Sequence, residues 1–406
     1  MEEKKQSLVP ELRFPGFEGE WDFVQGDVLF EPISNKNHHS DLPILALTQD
    51  QGAVPRDLIN YNIQVSEKSV EGYKVVDVDD FIISLRSFQG GIEYSRYKGL
   101  CSPAYIVLRK KDRRIVSDFY RHFFKSFNYI QSLNRNLEGI RDGKMISYKQ
   151  FSEIKLPFPS YSEQQKIAEC LNGVDHLIQE ETDQLQALKD HKKGLMQQLF
   201  PQDGETTPKR RFPGFEGKWE EKKFKDITFA AGKKNKQNLP YERYSISNEL
   251  GFYPQSNQFD GGGGYLKNID CSLYIIVPPH TFAYNPARIN VGSIGYQDLG
   301  KDVIVSSLYE VFQTTDCCDD NFLWHWFHSD IFHRMIMDVQ EGGVRQYFFY
   351  DKLCGCSILL PTLSEQQKIA ECLSSLDEEI SAQQQKVEAL KEHKKGLMQN
   401  LFPIIN

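Results

Sequence analysis

No stretch of the chain approaches the ~18 consecutive apolar residues of a membrane-spanning helix, so none is expected. The opening MEEKKQSLVPELRF interleaves charges and lacks the apolar core of a secretory signal, so the protein reads as cytoplasmic. Cysteine is sparse: eight residues stand singly, except for Cys317 beside Cys318 and the pair Cys354 and Cys356. Without a paired C-x-x-C framework they read as reduced thiols, and neither a disulfide scaffold nor a metal site is expected.

Catalytic signatures are missing too. No G-x-x-x-x-G-K-[ST] loop occurs, and Gly261 to Gly264 are followed by Tyr-Leu-Lys, which reads as a flexible turn rather than a phosphate cradle. Adenine methyltransferases carry Asp/Asn-Pro-Pro-aromatic, which the lone Pro-Pro at Val277-Pro-Pro-His280 does not match. Glu153-Ile-Lys155 resembles the tail of a nuclease motif but lacks a convincing acidic partner upstream, and no H-E-x-x-H or triad pattern is present. The chain reads as a binder without a catalytic site.

What is present is a duplication. The 406 residues, 40% hydrophobic and 26% charged with a mean hydropathy of -0.51, allow two to three domains. Arg13-Phe-Pro-Gly-Phe-Glu-Gly-Glu-Trp21 returns as Arg211-Phe-Pro-Gly-Phe-Glu-Gly-Lys-Trp219, an offset of 198. Ser162-Glu-Gln-Gln-Lys-Ile-Ala-Glu-Cys-Leu171 returns unchanged from Ser364 to Leu373, and His191 to Pro201 returns from His393 to Pro403 with Asn400 for Gln198. Both of these lie 202 positions apart. Between the anchors the copies diverge, though Phe119 to Phe124 resembles Phe322 to Phe327 and Glu138-Gly-Ile-Arg141 resembles Glu341-Gly-Gly-Val-Arg345. The divisions are 1–161 and 201–363 for two variable domains, with long helices at 162–200 and 364–406.

Those helices are expected to start at Ser162 and Ser364 as N-caps, with Gln165 and Gln367 completing capping boxes. Apolar residues step by four and three along Ile167, Leu171, Val174, Ile178, Leu185 and Leu188, then along Ile369, Leu373, Leu376, Ile380, Val387 and Leu390. That is a coiled-coil seam, and each helix would be roughly 55 Å long. Polar residues fill four seam slots: Glu181, Lys192, Gln383 and Lys394. They are either tolerated breaks near solvent or register-fixing partners. An antiparallel pairing would set Glu181 opposite Lys394 and Lys192 opposite Gln383, giving a pseudo-twofold molecule with a domain at each end.

The net charge of -8 sits mostly in the helices and N-terminal tail, which leaves residues 22–162 at +2 and residues 201–364 at -3. Basic runs occur at Arg109 to Arg114, Lys209 to Arg211, Lys222 to Lys225 and Lys233 to Lys236, each either a solvated surface or a phosphate track. The variable domains read as mixed α and β. Strands are expected at 43–47, 74–78, 81–85, 104–108, 273–277, 281–284 and 302–305, and aromatic-rich helices at 118–133 and 320–339. Polar loops follow: Arg86, Ser87, Gln89, Gly90, Tyr94, Arg96 and Lys98 in the first domain, and Arg288, Asn290, Tyr296 and Gln297 in the second. With Arg141 and Arg345 these are candidate DNA contacts, since Arg forks onto guanine and Asn or Gln onto adenine; ordinary hairpin loops are the other reading.

The ordered motifs resemble the specificity subunit of type I restriction-modification enzymes. The resemblance rests on the Arg-Phe-Pro-Gly-Phe-Glu-Gly-x-Trp starts at 13–21 and 211–219, the Leu-Pro then Ser-Glu-Gln-Gln-Lys-Ile-Ala-Glu-Cys-Leu helix starts, and the Lys-Lys-Gly-Leu-Met-Gln-x-Leu-Phe-Pro helix ends, and spans essentially the whole chain. It implies an α+β fold: two tandem target-recognition domains, each reading one half of a gapped double-stranded DNA target, and two helices paired as an antiparallel coiled coil. Those helices would set the gap and dock two methyltransferase subunits, with restriction (translocase) subunits in the full complex. No cofactor is expected on this chain; S-adenosylmethionine, ATP and Mg belong to the partners. On the residues alone, a coiled-coil scaffold with two protein-binding heads and a self-contained methyltransferase-nuclease remain as alternatives.

Overall fold

The computed structural model describes residues 9–39, 41–59, 70–135, 146–248, 251–258, 270–340 and 347–403. The chain divides into two compact units: Met1–Thr182 with Gln385–Asn406, and Asp183–Gln384. Each unit therefore holds one variable domain, the start of one long helix and the end of the other. Among the described residues no helix is long and apolar enough to cross a membrane.

In the first unit a four-stranded antiparallel sheet runs in the order Phe30–Ile33, Ile106–Lys110, Phe81–Ile83, Glu93–Tyr94. Two helices, Ser117–Phe123 and Phe127–Arg135, supply the aromatics that pack with it. Phe30, Phe81, Phe119, Tyr120, Phe123, Phe124 and Tyr129 are all fully buried in one core. Their rings meet edge to face or tilted in all but one pair, Phe30 lying edge to face with Phe81 at 5.5 Å and with Tyr120 at 5.2 Å. The second unit repeats the plan with strands Thr228–Ala230, Glu310–Thr314, Thr281–Tyr284 and Ile294–Gln297 in that order, and helices Asp320–Phe327 and Asp330–Gln340. Each domain is a helix layer on an antiparallel sheet, an α+β design.

The expected single helices at 118–133 and 320–339 are each two helices. Ser126 and Ser329 break them: both are buried, and their hydroxyls accept from the amides of Tyr129 at 3.3 Å and Phe332 at 3.4 Å, capping a new helix.

A second pairing closes each domain. Strand Asp22–Gln25 pairs antiparallel with Lys155–Phe158, and Glu220–Lys223 with Ser357–Leu360, bringing the start of each domain beside the start of its long helix. Trp21 and Trp219, both buried, wedge against Phe119 at 6.0 Å and Phe322 at 5.9 Å. The helix ends enter the same cores, Phe402 lying 5.5 Å from Phe119 and Phe200 lying 5.4 Å from Phe322.

The repeated motifs form the joint between domain and helix. Arg13 donates from Nε and Nη2 to the two carboxylate oxygens of Glu163 at 2.7 and 2.9 Å, and from Nη1 to the carbonyl of Gly19 at 2.5 Å. Arg211 does the same to Glu365, at 2.7 Å twice, and to the Gly217 carbonyl at 2.5 Å. Gly19 at φ 80° and Gly217 at φ 83° are left-handed, so the loop that presents those carbonyls needs glycine. Gln164 accepts from the amide of Val116 at 2.9 Å and donates to the carbonyls of Arg114 and Pro159 at 3.2 and 2.9 Å. Gln366 accepts from the Asp319 amide at 2.8 Å and donates to the carbonyls of Cys317 and Pro361, both at 3.0 Å. Glu163, Gln164, Glu365 and Gln366 are at most 2% exposed, so these hydrogen bonds form away from water, where leaving them unmade is costly.

The capping assignment needs correction. The long helices run Tyr161–Leu199 and Leu363–Leu401, so Ser162 and Ser364 lie inside the first turn and Gln165 and Gln367 face solvent. Ser160 and Thr362 take the boundary: the Glu163 amide reaches Ser160 Oγ at 3.3 Å, and the Glu365 amide reaches the Thr362 carbonyl at 2.9 Å. Ser160-x-x-Glu163 has capping-box spacing, but Arg13 has claimed the glutamate.

Along both helices every seam position is at least partly covered. Ile167, Leu171, Ile369, Leu373, Gln383 and Val387 are buried; Val174, Ile178, Glu181, Leu185, Leu188, Lys192, Leu376, Ile380, Leu390 and Lys394 are half-buried. In the first unit Asp175 pairs with Lys394 at 2.5 Å and Glu181 with Lys386 at 2.7 Å; in the second, Lys192 pairs with Asp377 at 2.5 Å. In the first unit residue numbers therefore rise along one helix as they fall along the other. The expected facing of Glu181 with Lys394 and Lys192 with Gln383 is thus displaced by several residues. The lysine stems reach past the seam to Asp175 and Asp377, acids that flank it and that the seam pattern alone leaves out.

Candidate nucleic-acid interface

In each domain one turn joins the third and fourth strands of the four-stranded sheet. In the first unit the turn follows Phe81–Ile83 and precedes Glu93–Tyr94; in the second it follows Thr281–Tyr284 and precedes Ile294–Gln297. Register equates them: Phe81 faces Tyr94 as Phe282 faces Tyr296. Each turn contains a short helical piece, Ser87–Gly90 or Ile289–Val291, and the residue opening it is an arginine. Arg86 has φ -112° and ψ 6°, and Arg288 has φ -135° and ψ 11°. Left-handed Gly91 at φ 79° and Gly292 at φ 86° close the two pieces.

The turns are held from beneath. In the first unit Lys125 donates to the Gly90 carbonyl at 2.9 Å and to buried Glu93 at 2.7 Å. Burial pushes the Glu93 carboxyl up and the Lys125 ammonium down, and the opposite charge of each offsets part of the other's shift. In the second unit the Ser293 hydroxyl donates to the Ile246 carbonyl at 3.1 Å, and the Asn285 side chain accepts the Ala287 amide at 3.0 Å.

Of the residues expected to face DNA, Arg86, Gln89, Arg96, Lys98 and Arg288 are exposed, and Gly90 and Asn290 are half-buried. Lys98 also lies 3.2 Å from Asp77, an exposed pair of small energetic weight. Ser87 and Gln297 do not face outward. Ser87 is buried and its Oγ accepts the Ser84 amide at 2.9 Å. Gln297 is fully buried, donating to the carbonyls of Val277 at 3.0 Å and Lys301 at 2.8 Å and accepting the Leu299 amide at 2.8 Å. A buried amide satisfied by three main-chain partners shapes the loop and is not free to read a base. Arg141 and Arg345 lie outside the described residues.

Tyr94 and Tyr296 also serve inward. Tyr94 donates to Asp79 at 2.5 Å; Tyr296 donates to Asp320 at 2.8 Å and meets His280 Nδ1 at 2.8 Å. Asp79 at φ 73° and His280 at φ 59° are left-handed non-glycine residues, so the phenols brace strained turns entering the third strand. Burial and the neighbouring carboxylates raise both phenol pKa values, which keeps them protonated as donors. The run Arg109 to Arg114 is largely occupied as well: Arg109 binds Asp80 and Asp77, Lys110 binds Asp79, Lys111 reaches the Asp27 carbonyl and Arg114 binds Asp112.

The sequence itself carries a signal that aligns the two turns. Arg86 and Arg288 are 202 positions apart, as are Tyr94 and Tyr296, which is the offset of the helix motifs.

Comparison with known proteins decides the family. The model of the type I restriction modification DNA specificity domain matches the chain twice, at residues 34–190 and 216–392. The chain belongs to that family. Each match covers one turn and most of one long helix, so this specificity protein carries two target-recognition domains. It is 24% identical over 371 residues to the type I restriction enzyme MjaVIII specificity subunit of Methanocaldococcus jannaschii, covering 84% of this chain and 81% of that one. It is 23% identical over 378 residues to the putative MjaX specificity subunit of the same organism, covering 85% and 82%. Among solved structures it resembles the type I restriction-modification S subunit from M. genitalium, with a TM-score of 0.58 at 13% identity over 98% of this chain and 100% of that one. A further structure, from a study of complex assembly and conformational transition of the type I system, gives a TM-score of 0.55 at 15% identity over 96% and 98%. The two structural likenesses speak for the fold.

Proposed function

We propose that each domain of this specificity protein reads one half of a bipartite DNA target through the turn opened by Arg86 or Arg288. The paired helices would set the unspecified gap between the halves and dock two methyltransferase subunits. One observation carries the reading: two domains of one topology, diverged in the turns they expose, are fastened to their helices by identical joints. Divergence at the tips suits different targets, and identity at the joints suits a fixed distance. The long helices would pair as an antiparallel coiled coil over their full length, and with 39 residues each would extend roughly 58 Å. That exceeds one ~34 Å turn of duplex. The chain would act in the cytoplasm without its own cofactor. Partner subunits would bring S-adenosylmethionine for adenine methylation, and restriction subunits would bring ATP and Mg.

The test is to express the chain with its methyltransferase partner and map methylated adenines by single-molecule sequencing. A gapped, two-part motif is expected. Inserting four residues after Glu181 and four after Gln383 should lengthen the gap and leave both half-sites unchanged. Altered half-sites would defeat the spacer role. Failure of the assembled complex to bind any duplex would favour protein-binding heads on a scaffold.

A further inference from the structure

We infer that Arg86 and Arg288 are a matched pair of phosphate anchors, which position the two domains on duplex DNA and carry none of the sequence discrimination. The inference rests on the reading that the domains bind DNA. Its basis is what the two turns share. From Arg86 the first runs Arg-Ser-Phe-Gln-Gly-Gly; from Arg288 the second runs Arg-Ile-Asn-Val-Gly. Only the opening arginine and the closing glycine persist, and the arginines occupy the same point between equivalent strands in nearly the same backbone conformation.

Both guanidiniums are exposed, and neither has a side-chain partner among the described residues. That separates them from Arg13, Arg109, Arg114, Arg121, Arg211 and Arg334, each of which lies against a carboxylate. Two readers of unlike sequence have only the sugar-phosphate backbone in common. A group preserved at one place in both readers, while its neighbours change, suits that common feature. A guanidinium also matches a phosphate with two parallel hydrogen bonds. Base discrimination then falls to the residues that differ, Gln89 in the first turn and Asn290 in the second among them.

The experiment uses the full chain assembled with its methyltransferase partner. Binding to a duplex carrying the mapped motif and to a scrambled duplex is followed by fluorescence anisotropy across a KCl series. Arg86→Ala and Arg288→Ala should each weaken both duplexes by a similar factor of about ten. Each should also flatten the plot of log affinity against log salt by about one unit, with the methylated motif unchanged. Arg86→Lys should keep the wild-type salt slope, since a point charge suffices for it. A relaxed or altered base in the half-site belonging to one domain would make the arginine a base reader and overturn the inference. Unchanged affinity and slope would overturn it too. Loss of all duplex binding by the wild-type complex would instead remove the DNA reading, and this inference with it.

Discussion

Replacing Arg211 with leucine is expected to destabilise the protein by about 3–5 kcal/mol, because it leaves the buried Glu365 carboxylate without its ionic partner. Glu365 is 1% exposed and both of its oxygens are bound by Arg211. Arg211 in turn holds the carbonyls of Glu216 and Gly217, so the loop before Trp219 loses its fastening in the same step. Removing the charge as well, with Arg211→Leu and Glu365→Leu together, should recover much of the loss, since an apolar pair of similar volume fills the site without an orphaned ion. Urea unfolding followed by tryptophan fluorescence reads both variants. A single-variant loss below about 1 kcal/mol, or a double variant no better than the single, would count against a buried ionic joint. Arg13 and Glu163 repeat the geometry in the first unit and should respond alike.

The second large effect is an acid limit set by two buried histidines. His122 is 3% exposed and His325 1% exposed. Burial first, then the charge of Arg121, pushes His122 down to about 4, against the opposing influence of Asn172 and Asp175. Burial first, then Lys192, pushes His325 down to about 3. Both rings are therefore neutral at pH 7 in the folded chain. As pH falls below about 6.5 the unfolded chain takes up two protons that the folded chain refuses, so stability declines from there until the folded-state values are reached. Above pH 7 the contribution is flat. The loss is about 3 kcal/mol for His122 alone by pH 4, with His325 adding a comparable amount. Unfolding midpoints at pH 7.5 and 5 compare directly, and His122→Gln with His325→Gln should show a shallower decline than wild type. Equal declines in both proteins would remove the histidines from the account.

The sequence made the large divisions legible because they rest on periodicity and repetition. A step of four and three marks a buried stripe whatever it packs against, and the seam from Ile167 to Leu188 is covered throughout. The polar half of the same motifs was harder to read. Glu163, Gln164 and Arg13 have the composition of a helix cap and a surface loop, and only coordinates bring together residues 150 positions apart. The loops failed in a similar way: Ser87 and Gln297 look like Gln89 and Asn290 as letters, but the first two spend their hydrogen bonds on main chain. A side chain's chemistry is the same whether its partner is the protein or a ligand, so burial decides. The seam lysines were misassigned because Lys394 and Lys192 pair with Asp175 and Asp377, acids beside the seam that a reading of seam positions alone leaves out.

The two glutamines that follow the helix-opening glutamates have an evolutionary corollary. Gln164 grips the carbonyl of Arg114 and the amide of Val116; Gln366 grips the carbonyl of Cys317 and the amide of Asp319. Those four side chains have nothing in common, and the amides do not consult them. A socket that recognises only the peptide backbone accepts any head whose chain passes through it at the right angle. Recombination between the repeated ends would then deliver a new head ready to mount, with no compensating change in the shaft.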